Sequence, residues 1–211
     1  MKKLKVIIFG STGMVGKGVL YECIESEIVE SILLINRTSL GIESKKVKEI
    51  LHDDFTDFSS IENNLKDYDA CYFSLGVSAA GMSEKKYKKI TYDFTLAAAK
   101  TLSKLSNKMI FIYVSGVGTD SSEKGRSMWA RVKGKTENDL LSLPVKQAYM
   151  FRPALITPIK GLKNTYTSYK VMKPLLPLLR FLFPKYVSSL HELGLAMINV
   201  TLKGYDKKVL E

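Results

Sequence analysis

The chain has 211 residues, 45% hydrophobic and 25% charged, with a formal net charge of +11. That length suits one domain with an ample core, and the balance is ordinary for a soluble globular protein. The charge does not by itself point to nucleic acid: only five of the 32 basic residues are arginine (Arg37, Arg126, Arg131, Arg152, Arg180), and lysine pairs such as Lys45-Lys46 and Lys88-Lys89 read as solvated faces. Such a surface draws in anions generally, a phosphorylated cofactor among them.

Taken in chain order, an apolar strand is expected over Leu4–Phe9, followed by Gly10-Ser11-Thr12-Gly13-Met14-Val15-Gly16 and a helix from about Met14 to Ile24. A glycine-rich turn between a buried strand and a helix is a place for a pyrophosphate. Glycine lets the backbone approach phosphate oxygens, and the unpaired N–H groups and positive dipole end of the helix hold the anion. The loop reads Gly-x-x-Gly-x-x-Gly, not the standard Gly-x-Gly-x-x-Gly, and its position after a strand is what gives it weight. Gly10 through Gly16 are therefore candidate cofactor-binding residues.

A second strand, Ser31–Asn36, ends at Arg37, where a dinucleotide fold meets the adenosine ribose 2′ position. An acid there would favour a free hydroxyl, and an arginine pairs with a 2′-phosphate, so NADP is expected over NAD. A third strand, Val47–Leu51, precedes His52-Asp53-Asp54-Phe55, where Asp53 or Asp54 could reach the adenine amine or simply serve a turn. A short helix is expected near Ser59–Leu65, capped by Ser59 or Ser60. The fourth strand, Ala70–Leu75, runs into Gly76, and Leu75-Gly76 would pass close to the adenosine ribose.

A long helix is expected near Ser83–Leu105, a fifth strand over Met109–Ser115, a helix over about Ser127–Leu141 and a sixth strand over Val145–Phe151, ending in Arg152-Pro153. Both are candidate cofactor-binding residues: Pro153 would shape the nicotinamide-side loop, and Arg152 would reach substrate or a structural carboxylate. Continuous apolar strands separated by helices imply a doubly wound parallel α/β sheet, a Rossmann fold, in a single domain over residues 1–211. Residues 153–206 lose this rhythm and are read as a small substrate-side cap. It would hold the apolar Pro174–Pro184 patch, a helix near His191–Leu202 and a last strand within Lys207–Leu210. That patch makes a homodimer a candidate.

No apolar run approaches the roughly 20 residues of a bilayer span, so no stable membrane insertion is expected. Strand one begins too early to leave room for a signal peptide, and Cys23 and Cys71 lie far apart in apolar surroundings. The expectation is a cytoplasmic protein with a small-molecule substrate and no nucleic-acid partner.

The Gly10/Gly13/Gly16 loop, Arg37, Asp54-Phe55, Leu75-Gly76, Val114-Ser115-Gly116, Lys133-Gly134-x-x-Glu137 and Arg152-Pro153 together carry a resemblance. The chain resembles short-chain dehydrogenase/reductases of the extended or atypical kind. Within them it is similar to the NAD-dependent epimerase/dehydratase and NmrA-like proteins and, above all, to the small HIV-Tat-interacting-protein-like oxidoreductases. The resemblance implies that Ser115 orients a substrate carbonyl. It also implies a Tyr-x-x-x-Lys pair, in which Lys133 holds the nicotinamide ribose and the tyrosine moves the proton. Here the tyrosine position is Trp129, in Trp129-Ala130-Arg131-Val132-Lys133. Indole has one N–H donor and no accessible titration, so it can polarise a carbonyl but cannot shuttle a proton. Tyr113, Tyr149 and His191 are the remaining candidate proton carriers.

Two functional classes stay open: an NADP(H)-dependent oxidoreductase on a small carbonyl/alcohol pair, and a non-catalytic NADP(H)-binding regulator. A weaker third is an anion-binding surface protein. No metal site is expected.

Overall fold

The computed structural model describes residues 3–157 and 186–211. Seven strands form one parallel sheet: β1 (Leu4–Phe9), β2 (Val29–Asn36), β3 (Val47–Leu51), β4 (Ala70–Phe73), β5 (Ile110–Val114), β6 (Gln147–Phe151) and the C-terminal pair of residues Val209–Leu210. Their spatial order is β3-β2-β1-β4-β5-β6 followed by Val209–Leu210 at the edge. The doubly wound expectation is met, with the order reversing between β1 and β4. Ligands in such sheets bind at that reversal, beyond the carboxyl ends of the strands.

The apolar alternation of β1 sends side chains to both faces, as period-two geometry requires. Val6 and Ile8 pack with Val19, Leu20 and Cys23 of α1 (Met14–Glu25). Ile7 and Phe9 pack on the opposite face with Phe55, Phe58 and Phe73, alongside Leu96, Ala99 and Leu102. Both faces are covered, which is why the strands read as continuous apolar runs and not as alternating ones.

Strand edges fall within two residues of expectation, and the helices differ more. The segment Ser59–Leu65 is a 3₁₀ helix whose first cap position is Phe58, with no side-chain cap; Ser59 instead hydrogen-bonds Asp57. The expected long helix begins at α2 (Glu84–Lys88), capped by Ser83, and ends as α3 (Phe94–Leu105). Between them lies a π-helical turn, Lys89–Asp93. α4 spans Met128–Leu141.

A pair that the sequence pattern did not suggest follows: β7 (Leu155–Thr157) and β8 (Val187–Ser189) form a separate two-stranded parallel sheet. The next helix, α5 (Leu190–Lys203), starts in a capping box built by Ser189 and Glu192. Within the 153–206 stretch, α5 is part of the main body: Leu193, Met197 and Ile198 are buried in the core beside α1. The Pro174–Pro184 patch lies outside the described residues. No helix among the described residues is long and apolar enough to cross a membrane.

Candidate functional site

The glycine loop closes on itself by backbone packing. Gly10 has φ +79°, and a Cβ there would sit 2.5 Å from the Leu75 backbone nitrogen. A Cβ on Gly16 would collide with the Gly10 carbonyl oxygen. These two positions admit only glycine, because the strand-to-helix turn passes directly beneath the end of β4. Gly13 is the cap residue of α1, with no side-chain cap and no acid in the first turn, so the positive helix end is left for an external anion.

Two adjoining cavities open at this edge. The first is lined by Gly10, Thr12, Gly13, Arg37, Phe55 and Leu75, among others, with Ile90 and Phe94 as a wall. The second is lined by Met14, Val15, Val77, Ser115, Lys133, Pro153 and their neighbours. Gly13, Ser74, Gly76 and Val77 line both, so the cavities form one cleft astride the β1–β4 reversal. Ile90 and Phe94 are four residues apart across the π-helical turn, whose extra width presents both to the cavity.

Arg37 is exposed at the mouth of the first cavity and makes no ion pair or hydrogen bond among the described residues. No carboxylate lines that cavity among the described residues. The loop that carries Arg37 is held from beneath. Ser11 donates to Asn36 Oδ1 at 2.8 Å, Asn36 donates to Glu49 at 2.7 Å, and Glu49 also accepts from Ser39 and the Leu40 N–H. Those hydrogen bonds hold the Glu49 carboxyl below its usual range against an opposing burial penalty. The Ser11 hydroxyl is therefore committed to Asn36, and only its backbone is left for a phosphate.

At two positions the structure takes the second of the readings left open. Asp54 directs Oδ1 to the Thr56 N–H and hydroxyl, an Asx turn that lowers its pKa, and neither Asp53 nor Asp54 lines the cleft. Phe55 lines it instead. Arg152 points away from the cleft. It pairs with buried Glu137, with Nη2 2.5 Å from Oε2, and also reaches Ser121 and Glu211. Glu137 ties its guanidinium to a structural role and raises its pKa. Pro153 does line the cleft, and its carbonyl accepts from the Val117 N–H.

Ser115 also departs from its expected role. Its hydroxyl lies 2.5 Å from Glu137 Oε1 and 3.2 Å from the Phe151 carbonyl. A hydroxyl has one proton, and the buried carboxylate takes it, so Ser115 has no donor left for a substrate carbonyl. Lys133 donates to the Ser115 carbonyl oxygen and lines the cleft. Burial pulls its ammonium down to about 8, with Glu137 one turn along α4 opposing the shift.

Trp129 does not line the cleft among the described residues. Its ring packs over the loop at Gly118, where a Cβ would stand 3.3 Å from Cη2. Tyr113 is sealed in the core and its pKa is raised by burial. The Tyr149 hydroxyl accepts from the Tyr205 N–H at 3.0 Å, and His191 pairs with Glu22 at 2.8 Å. None of these three faces the cleft.

Ser74 was not foreseen. It sits where both cavities meet, and its buried hydroxyl has no hydrogen-bond partner. An orphaned buried donor at a cleft junction fits a polar ligand passing over it. With the uncapped helix end and an Arg37 that has no partner among the described residues, the residues present suit a nicotinamide dinucleotide.

Comparison with known proteins gives the same architecture. An oxidoreductase of the short-chain dehydrogenase/reductase family from Burkholderia thailandensis superposes with TM-score 0.75 at 12% identity, covering all of this chain and 90% of that one. The Bordetella bronchiseptica enzyme WbmF in complex with NAD+ superposes with TM-score 0.70 at 13% identity, covering 99% of this chain and 72% of its own. The fold is that of the short-chain dehydrogenase/reductases. No protein-family model matches the chain.

Curated relatives include the mitochondrial protein FMP52 of Meyerozyma guilliermondii, 26% identical over 204 residues that cover 95% of this chain and 86% of the relative. The mitochondrial FMP52-1 of Scheffersomyces stipitis is 28% identical over 167 residues, covering 76% and 73%. These names overturn the cytoplasmic expectation. That expectation rested on buried cysteines and the absence of a visible leader, neither of which separates a cytosolic from an organellar reducing environment.

Proposed function

We propose that the chain binds NADP(H) across the cleft and acts as an oxidoreductase on a small carbonyl/alcohol pair, as an atypical member of the dehydrogenase group whose fold it has. The observation that carries the cofactor reading is Arg37: an unpaired, exposed guanidinium at the mouth of a glycine-loop cavity that no described carboxylate lines. A guanidinium there meets a 2′-phosphate with two parallel hydrogen bonds. Gly10, Gly13 and Gly16 let the pyrophosphate reach the α1 N–H groups. Leu75 and Gly76 flank the adenosine side, and Met14, Val15, Lys133 and Pro153 wall the nicotinamide side. When bound, the cofactor supplies hydride; the protein orients it and excludes water. The 153–206 stretch outside α5 would contribute the small substrate-side cap, and the mitochondrial location of the relatives is extended to this chain as part of the same proposal.

Arg37→Ala is expected to weaken NADP binding about 10–100-fold and NAD binding hardly at all, measured by fluorescence titration. Equal losses for the two cofactors would end the 2′-phosphate reading.

The regulator remains a second reading because of two observations: Trp129 lies on Gly118, away from the cleft, and the Ser115 proton goes to Glu137. Trp129→Tyr separates the two. A gain of about 10²–10⁴ in turnover on quinones or aldehydes supports the enzyme. Tight NADP binding without turnover in either form supports the regulator.

A further inference from the structure

The reading above leaves a carbonyl oxygen that must gain a proton and a cleft with no tyrosine among its described lining residues. We propose that Lys133 itself is the proton donor, and not only a hold for the ribose. This rests on the dinucleotide reading of the same cleft.

The argument runs by geometry. Among the described residues lining the nicotinamide-side cavity, Lys133 is the one titratable side chain; the other polar side chains there are the hydroxyls of Ser74, Ser78 and Ser115. Serine hydroxyls do not ionise near neutral pH, and the Ser115 proton is held by Glu137. Tyr113, Tyr149 and His191 are each engaged elsewhere. Trp129 carries no titratable proton. Lys133 has three donors, of which the Ser115 carbonyl takes one, leaving two on an ammonium beside Gly116, where a Cβ would stand 3.9 Å from Nζ.

The charged groups near Lys133 are few. Glu137 lies on its own helix, and from β6 and the segment after it come Arg152, already paired with that same Glu137, and neutral Pro153. β5 presents only the Ser115 carbonyl and hydroxyl. The Arg152 pairing limits how far Glu137 can hold the Lys133 proton, while burial loosens it. A lysine so placed can release a proton near neutral pH, as catalytic lysines do in partly desolvated pockets.

The step balances. The carbonyl carbon receives hydride from a reduced nicotinamide dinucleotide, which is oxidised. As the C=O π bond opens, the oxygen takes a proton from Nζ, so one O–H bond forms and one N–H bond breaks. The neutral amine recovers its proton from water.

The test has two independent readouts. Isotope-labelled lysine is followed by NMR across the pH range in the full chain, with the Lys133 resonance assigned as the one missing from Lys133→Arg. Single-turnover reduction of phenanthrenequinone and nitrobenzaldehyde by pre-bound NADPH is then measured over the same range. The expected result is a titration midpoint near 8 and a wild-type rate that falls above that midpoint. Lys133→Arg, compared with wild type at saturating NADPH so that any loss of affinity is removed, should lose about 100-fold or more in rate. A midpoint in the ordinary lysine range overturns the proposal, as does a Lys133→Arg rate close to wild type. Wild-type protein that binds NADPH but reduces neither probe at any pH also overturns it. Failure of wild-type protein to bind NADPH would instead overturn the underlying cofactor reading.

Discussion

The two halves of the cleft are built differently. The half proposed to hold adenosine draws its polar groups mainly from backbone: a turn that only glycine fits and an uncapped helix end, with Arg37, unpaired among the described residues, at its mouth. The nicotinamide half depends on side chains, and there the expected trio is altered. Ser115 lines the cavity but donates its hydrogen bond to Glu137, Trp129 rests on Gly118, and Lys133 is the one titratable side chain among the described residues lining that cavity. Binding made from backbone geometry survives side-chain replacement, and proton chemistry does not. On the proposed reading, the contrast would explain how a chain keeps a cofactor site while its catalytic group changes.

The comparison can be broken most forcefully at Glu137. It is buried, and it holds both Arg152 and Ser115. Glu137→Leu leaves Arg152 without its main partner and should cost about 3–5 kcal/mol of stability by denaturant unfolding. The Ser115 hydroxyl would be freed toward the cleft. A change below 1 kcal/mol would mean that the pair does not organise this half.

Gly16→Ala tests the other half. The added Cβ meets the Gly10 carbonyl, so the loop must open, and NADP binding should fall about 100-fold, or roughly 2.7 kcal/mol. Calorimetry that shows unchanged affinity would remove the close-packed turn from the argument.

Lys133→Met sharpens the contrast by pH. Burial lowers the folded-state pKa from 10.5 to about 8, so at neutral pH the charged ammonium destabilises the native state. Between pH 8 and 10.5 the native protein has released this proton while the unfolded chain still holds it, and wild-type stability should rise with pH in that window. Lys133→Met should be more stable than wild type at pH 7 by about 1–2 kcal/mol after allowance for partial exposure. That advantage should shrink toward pH 10.5. A pH-independent difference would show that packing, not charge, is responsible.

Ser189→Ala is the smallest effect and the control. It removes the capping box of α5, whose residues line neither cavity, and should cost about 1 kcal/mol while leaving NADP affinity unchanged. Altered affinity would couple α5 to the cleft.

Much of this architecture is legible in one dimension because its signals are local. Leu4–Phe9 is a strand at the expected residues, since a buried parallel strand needs a short apolar run; Val47–Leu51, at the sheet edge, is also a strand where expected. The π-helical turn at Lys89–Asp93 is not legible, because a helix and its one-residue widening share the same periodicity. Arg37 could be placed by counting from Gly16 along a βαβ unit. Arg152 and Ser115 could be placed at the cleft edge in the same way, but the direction of each side chain depends on a partner distant in sequence, whereas Asp54 is turned by its near neighbour Thr56. Arg152 and Glu137 are 15 residues apart, and Arg152 and Glu211 are 59 apart. Ser74 gave no sign because an orphaned hydroxyl is a property of its surroundings.

The sequence by itself determined the doubly wound sheet, the glycine turn and the absence of tyrosine at position 129, since these follow from apolar period, glycine placement and residue identity. Only the tertiary structure decided which polar groups are free to meet a ligand. That outcome depends on the competition among buried partners for each proton, and in the nicotinamide half it leaves Lys133 facing the cavity.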